Sequence, residues 1–279
     1  MTRPLGFLYA GLMAVVFTAC SSVESMDPVV EEVPEIRPGI LQGYLPMDTP
    51  LNSKLFVPPP PQQDSARQQL DDQVVKRALA LQGTARWELA IHDAHLGFPA
   101  VADTFSCAMQ LPISEEQTPV LYMLLRRTLA DVGLATYPAK TAYQRTRPFV
   151  VNGEPICTPD EREELSHDGS YPSGHTSIGW GWALILSELA PERAAEILAR
   201  GRAFGESRNV CNVHWHSDVV AGRMVAGGAV ATLHANPQFI EAMAAAKSEI
   251  ANVRARKLAV GVDCEAEQRA LTFGLNEGN

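Results

Sequence analysis

The sequence predicts an all-α fold, a single-domain helical bundle, and three observations support this. From Ser65 onward the chain is rich in Ala, Leu, Gln and charged residues, and its apolar residues recur at helical spacing. No region shows the sustained two-residue alternation of strands joined by hairpin turns. Two segments, 175–189 and 213–233, are apolar almost all round, as in helices buried at the centre of a domain. Hydrophobic residues make up 46% of the 279, enough for one large core.

The first element is a predicted signal peptide, residues 1–19. Arg3 supplies a positive charge, residues 5–18 are mostly apolar, and small residues follow. The stretch is too short for a membrane span. Residues 17–20, Phe-Thr-Ala-Cys, resemble a lipoprotein cleavage box, which implies a lipid on Cys20 as the mature first residue. The expected location is the periplasm, with anchoring to the outer membrane as a lipoprotein, and an ordinary signal peptide cut nearby is the alternative.

The next element is a predicted tether, residues 20–40, rich in Pro and acidic residues. Such composition disfavours helix and favours extended or irregular chain. The domain is expected to occupy residues 41–258, since Tyr44 and Leu45 begin to supply apolar groups that can pack on it. Residues 259–279 are predicted to form a C-terminal tail.

The helices follow in order, and their polar starts indicate a site. They are predicted at 67–82, 85–95, 117–133, 137–145, 175–189, 191–204, 213–233 and 237–257. Asn236-Pro237 is a typical start signal for the last of them. Because the two most apolar helices both begin with polar, ionisable residues, we expect their starts to converge away from bulk solvent.

Charge and cysteine content limit the partners and the compartment. A net charge of -9 argues against nucleic acid, because a polyanion needs a basic surface, but it leaves room for a small phosphorylated substrate at a local basic cluster. Apart from Cys20, four cysteines remain. An even number is compatible with two disulfides in an oxidising compartment, and the count allows three pairings. The four are Cys107, Cys157, Cys211 and Cys264.

Three segments concentrate cationic and imidazole groups. The first holds Lys140 and Arg147, two turns apart on one face if the segment is helical, and Pro148 pushes Arg147 toward extended backbone. Arg offers a planar donor fork that suits phosphate. Taken alone, two cations on a helix face are more often simply solvated.

The second segment, Pro-Ser-Gly-His, precedes an apolar helix. Ser173 and Gly174 then lie at the helix start, where free amides and a partial positive charge attract anions. His175 follows in the first turn. The plain alternative is a capped helix with an incidental histidine.

The third segment holds Arg208, His214 and Asp218. His214 and Asp218 are four apart and would be stacked neighbours on a helix. A carboxylate that accepts from Nδ1–H fixes the tautomer and leaves Nε2 as a nucleophile. A surface hydrogen bond is the plain alternative. His216 is on another face and is interpreted as structural.

Together the segments read Lys-x6-Arg-Pro, Pro-Ser-Gly-His and Ser-Arg-x5-His-x3-Asp. This resembles the phosphatidic acid phosphatase type 2 superfamily, which also contains vanadium haloperoxidases. The chain is similar to the class A bacterial non-specific acid phosphatases in the sequence of residues Gly169–Trp180 and Arg202–Asp218. The four prolines at 58–61 are a further similarity. The resemblance covers roughly residues 40 to 255.

The resemblance implies an acid phosphatase that hydrolyses phosphate monoesters through a phosphohistidine, with no metal and no cofactor. His214 would attack phosphorus, Asp218 would orient it, and His175 would protonate the leaving oxygen. The phosphoryl oxygens would be held by Lys140, Arg147, Ser173, Gly174 and Arg208. Expected substrates are small phosphomonoesters, such as nucleotides and sugar or aryl phosphates, with a phosphotransferase side activity.

Two alternative functions are compatible with the same motifs. The chain could instead be a vanadium-dependent haloperoxidase, or an inactive envelope lipoprotein that binds phosphorylated ligands. Because their segments must converge on one phosphate, Cys157 and Cys211 are predicted to be bonded, and whether Cys107 and Cys264 form a second pair is left open. Membrane contact is expected only through the lipid, and a homo-oligomer is left open.

Overall fold

A computed structural model describes residues 1–2 and 33–272 of the chain. Cys20, together with most of the predicted signal peptide and tether, lies outside the described residues, as does the end of the predicted tail. Residues 33–272 belong to one compact unit.

The unit is built from α-helices, as predicted. They are α1 (Ala66–Leu79), α2 (Ala85–Ala94), α3 (Ser106–Met109), α4 (Pro119–Leu134), α5 (Tyr137–Tyr143), α6 (Pro148–Asn152), α7 (Arg162–Ser166), α8 (Gly174–Leu189), α9 (Ala194–Val210), α10 (His216–Leu233), α11 (Pro237–Arg256) and α12 (Cys264–Thr272). In the described part of the chain, no helix is long and apolar enough to cross a membrane.

Helix α8 is the centre of the bundle and packs against α4, α9 and α10. Its apolar residues on nearly every side explain this position, since Trp182 and Ile185 are both fully buried. At Gly222, α10 comes so close that an added Cβ would lie 2.6 Å from the carbonyl oxygen of Ser173. The Ser173 amide donates to the Asp218 carbonyl at 3.1 Å. The starts of α8 and α10 therefore meet, as the sequence predicts.

A short β-hairpin, which the sequence reading missed, precedes the helices. Strands β1 (Glu35–Arg37) and β2 (Ile40–Leu41) pair antiparallel across Pro38 and Gly39. Pro followed by a Gly with positive φ is the signature of a type II turn, and Gly39 has φ +77°. The strands are too short to show alternation. Residues 35–40, assigned to the tether, thus belong to the folded unit.

The C-terminal segment is also more ordered than a tail. Helix α12 packs on α2, and its Ala270 is buried. Cys264, its first residue, is bonded to Cys107, and Cys157 is bonded to Cys211. The predicted Cys157–Cys211 bond is therefore confirmed, and Cys107 and Cys264, whose pairing the sequence left open, form the second bond.

Candidate active site

Two of the predicted phosphate-holding cations meet, although not on one helical face. Helix α5 ends at Tyr143 because Gln144 adopts a left-handed conformation, φ +42°. Arg147 is extended before Pro148, as predicted, so the expected shared face with Lys140 is wrong. Both side chains turn instead to Asp168, whose Oδ2 lies 3.0 Å from the Lys140 ammonium and 2.9 Å from Nη2 of Arg147.

Arg208 is a buried cation that has no carboxylate partner within residues 33–272. It lies in the last turn of α9, which runs to Val210 rather than ending at 204. Its side chain is 1% exposed, and its Nε and Nη1 have no hydrogen-bond partner among the described residues. Burial, and then repulsion from Arg147, lower the pKa of Arg208 to about 10. An anion bound between the guanidinium groups of Arg147 and Arg208 would offset both the burial of the charge and the repulsion between the two groups.

His214 presents one nitrogen to this cluster. Its Nε2 lies 3.1 Å from Nη1 of Arg147. Because a guanidinium can only donate, Nε2 must be the unprotonated, acceptor nitrogen. Burial, followed by the positive charge of Arg147 and Lys140, holds the pKa of His214 well below its usual range. Its surroundings therefore favour the neutral imidazole, which is the form that a nucleophile needs.

Asp218 lies beside His214, although the two do not share a helix. Helix α10 begins at His216, so the prediction of a helix from 213 is wrong. The reason is a cap: Trp215 is extended, and its backbone amide donates to Oδ2 of Asp218 at 2.8 Å. The same oxygen lies 3.4 Å from Nδ1 of His214, farther than a good hydrogen bond, and this Nδ1 has no hydrogen-bond partner among the described residues.

A support for Asp218 was not predicted from the sequence. Arg145 donates to Oδ1 of Asp218 at 2.6 Å and to the buried Asp71 at 2.7 Å. Asp71 also accepts from the backbone amide of Ser217 at 2.7 Å. Arg145 could have been suspected from its place two residues before Arg147. Nothing in the sequence marks Asp71 as a buried residue, because its polar neighbours in α1 are typical of a helix face exposed to solvent.

The start of α8 places the second histidine. Ser173 caps the helix and accepts from the amide and the hydroxyl of Thr176, so its predicted phosphate contact competes with a capping role. Nε2 of His175 lies 2.9 Å from the Ala94 carbonyl oxygen and must donate to it, which leaves Nδ1 free for proton transfer. Burial, and then Arg208, hold the pKa of His175 well below its usual range.

One cavity of about 230 Å³ connects most of these groups. The predicted residues that line it are Lys140, Arg147, Gly174, His175, Arg208 and His214. Ser173 and Asp218 are fully buried behind it. Over residues 33–272, no group of three or more His, Cys, Asp or Glu side chains is placed to hold a metal ion. The cavity can accept a tetrahedral oxyanion between a neutral imidazole and a second histidine.

Comparison with known proteins gives consistent matches. Residues 119–240 match the model of the PAP2 superfamily. The chain is 44% identical to the non-specific acid phosphatase of Providencia stuartii over 212 residues, which is 76% of this chain and 86% of that protein. It is also 44% identical to an acid phosphatase of Zymomonas mobilis, covering 72% of this chain and 76% of the relative. A non-specific acid phosphatase of Salmonella typhimurium is 38% identical over 72% of this chain and 80% of its own length.

Proposed function

The chain belongs to the PAP2 superfamily and is a class A bacterial acid phosphatase, and from this premise we propose that His214 carries the phosphoryl group during the hydrolysis of phosphate monoesters. The observation that supports the assignment is the buried cluster of Lys140, Arg147 and Arg208 around Nε2 of His214. In phosphoryl transfer, negative charge develops on the equatorial oxygens of the phosphoryl group. Cations that are already fixed around these oxygens stabilise that charge without having to move.

The proposed reaction has two steps. The lone pair on Nε2 of His214 attacks phosphorus, the P–O bond to the alcohol breaks, and the leaving oxygen takes a proton from Nδ1 of His175. Water then attacks the phosphohistidine and gives its proton to His175, while the N–P bond breaks and its electrons return to Nε2. Inorganic phosphate then leaves with the proton that His175 took from the water, so both histidines return to the neutral forms of the empty site.

The low pKa of His175 in the empty site fits an acid phosphatase. Burial and Arg208 disfavour its proton until a substrate brings negative charge. Below a pH of about 6 a phosphate monoester itself carries a proton, which it can pass to His175 on binding. Asp218, held by Arg145, would stabilise the charge that forms on His214.

Trapping the intermediate tests the role of His214. Wild-type enzyme mixed briefly with a labelled aryl phosphate and denatured in alkali should retain one acid-labile phosphoryl group. His214→Ala should lose both this label and turnover. His216→Ala is the matched control, two residues away, and should retain both. Label on His214→Ala would refute the assignment.

The role of His175 is tested by the leaving group. A good leaving group needs no proton, so His175→Ala should keep more of its activity on an activated aryl phosphate than on an alkyl phosphate. Equal losses on the two substrates would count against the general-acid role.

We also propose that the reaction needs no metal and that the enzyme is a periplasmic lipoprotein anchored through Cys20. Activity should survive EDTA and be inhibited by vanadate and by high phosphate. Loss with EDTA and recovery with Mg²⁺ or Zn²⁺ would refute metal independence.

The two disulfides support the proposed location, because they form in an oxidising compartment such as the periplasm. Labelled fatty acid should enter the wild type and not Cys20→Ser; label in both would refute the anchor.

A further inference from the structure

The cavity has two chemically different ends. One holds the cations and the two histidines already described. The other is walled by aliphatic side chains from four separate segments, and none of these side chains belongs to the three sequence motifs. They are Ile36, Ile40, Leu96, Leu129, Leu134 and Ile178. Three more polar residues line the cavity outside the cation cluster: Arg37 and Tyr137 are exposed, and Thr136 is buried with its hydroxyl donating to the Gly133 carbonyl. Such a division, with a few polar groups at one end and apolar walls at the other, is typical of small-molecule sites.

The aliphatic end lies on the side from which the alcohol must leave. In-line displacement puts the leaving oxygen opposite His214, next to the histidine that protonates it. His175 is fixed by its hydrogen bond to the Ala94 carbonyl, and Leu96 follows two residues later. Ile178 is one turn along α8 from His175, on the same side of the helix. The carbon atoms attached to the leaving oxygen therefore point toward the aliphatic walls.

The hairpin that supplies Ile36 and Ile40 is held against α4 by two charged side chains. Arg127 donates to the carbonyls of Gln42 and Gly43, the latter at 3.0 Å. On the next turn of α4, Asp131 accepts the amides of the following two residues at 3.0 and 2.9 Å. A Cβ at Gly43 would overlap the Asp131 carboxylate, so glycine is required for this approach. The two isoleucines are thus presented on an anchored segment.

We propose that the hairpin and α4 form a leaving-group subsite that selects phosphate monoesters of compact apolar or aromatic alcohols over those of sugars. This inference rests on the proposed function. An apolar group gains by leaving water for the aliphatic walls. A sugar hydroxyl in the same place would give up hydrogen bonds to water and find no partner on those walls. The cavity volume suits one ring or a short chain beside the phosphate.

The test compares two esters of the same shape and leaving-group class, cyclohexylmethyl phosphate and glucose 6-phosphate. Both release a primary alcohol. The wild type should show a kcat/KM at least about tenfold higher for the cyclohexylmethyl ester, the size of effect that one methylene group produces in an apolar pocket. Ile36→Ala combined with Ile40→Ala should reduce this ratio about tenfold, while the inhibition constant of inorganic phosphate stays unchanged, because phosphate alone does not reach the hairpin.

Two further variants control the result. Leu55→Ala shortens an aliphatic side chain that is 82% exposed and outside the cavity, and it should leave the ratio unchanged. Ile36→Val removes less and should lower the ratio in the same direction even if the double variant does not fold. Equal kcat/KM values for the two esters in the wild type, or equal losses on both in the variants, would overturn the subsite and leave the phosphatase assignment intact. If neither ester is hydrolysed and phosphate does not inhibit, the proposed function fails, and the subsite fails with it.

Discussion

Helix α9 carries two buried arginines whose surroundings differ. Arg200 is 2% exposed and forms an ion pair with the fully buried Asp93, with Nη1 donating to Oδ2 at 3.1 Å, and its Nε donates to Glu267 of α12 at 3.0 Å. Arg208, two turns later, is equally buried, and two of its nitrogens have no partner in the described chain. Although burial disfavours both charges, the two carboxylates raise the pKa of Arg200, whereas the pKa of Arg208 falls to about 10.

The difference separates a structural charge from a functional one. A paired buried ion contributes little net stability but leaves a costly orphan when one partner is removed. An unpaired buried cation destabilises the protein while its site is empty. A bound anion neutralises the cation and offsets this destabilisation, so such a residue is a candidate for ligand binding. Arg200 therefore holds α2, α9 and α12 together, while Arg208 is left free for the phosphoryl group that we propose it binds. Four predictions test or refine this distinction.

The largest expected effect is on folding. Arg200→Met should lower the free energy of unfolding by about 3–5 kcal/mol, because Asp93 is left buried without a counter-ion. Urea denaturation measures this. The double variant Asp93→Asn with Arg200→Met should recover part of the loss. A loss under about 1 kcal/mol in the single variant would show that the pair is not structural.

Arg208→Met should affect catalysis instead. Removing one fixed donor to the phosphoryl oxygens should lower kcat/KM by about 10²–10³-fold. The free energy of unfolding should stay the same or rise, because the variant no longer buries an unpaired charge. Steady-state kinetics and urea denaturation of the same preparation give both values. If Arg208→Met unfolds as easily as Arg200→Met, the distinction between the two arginines is wrong.

The sequence predicts which residues form the site better than it predicts the backbone conformation around them. The three motifs, through their resemblance to the PAP2 superfamily, predict His214, Asp218 and the cations as site residues, and the structure brings these residues close together. Spacing does not say whether a helix contains them. Trp215 gives no sequence signal as a cap, so the helix start at His216 was missed, and the left-handed Gln144 that ends α5 has no obligate residue type. The role of Arg200 was equally hidden, since its partners Asp93 and Glu267 are 107 and 67 residues away.

Ligand binding should reveal the same distinction on a smaller scale. Inorganic phosphate at 100 times its Kd should stabilise the wild type by about 2.7 kcal/mol, since it binds only the folded state. At that same concentration, the shift should be much reduced in Arg208→Met. The double variant at Asp93 and Arg200 should keep it in full, because those residues do not line the cavity. Thermal unfolding with and without phosphate measures the shifts, and equal shifts in all three proteins would contradict the assignment.

The smallest effect concerns the third cation and is read from the pH profile. Burial, and then Arg147, lower the pKa of Lys140 to about 8, while Asp168 acts in the opposite direction. The ammonium is charged below this pH and neutral above it, so kcat/KM, which reports the free enzyme, should fall as pH rises through about 8. This fall is a second one, separate from the decline above a pH of about 6, where the monoester loses the proton that it would pass to His175.

Two variants assign this alkaline limb to Lys140. Asp168→Asn removes the carboxylate that supports the charge, so the limb should move to lower pH. Lys140→Arg should abolish the limb near pH 8, because a guanidinium remains protonated through that range. An unmoved limb in Asp168→Asn, or a persistent one in Lys140→Arg, would mean that another group titrates. Either outcome would place Lys140 with Arg200, as a charge that supports the fold, rather than with Arg208.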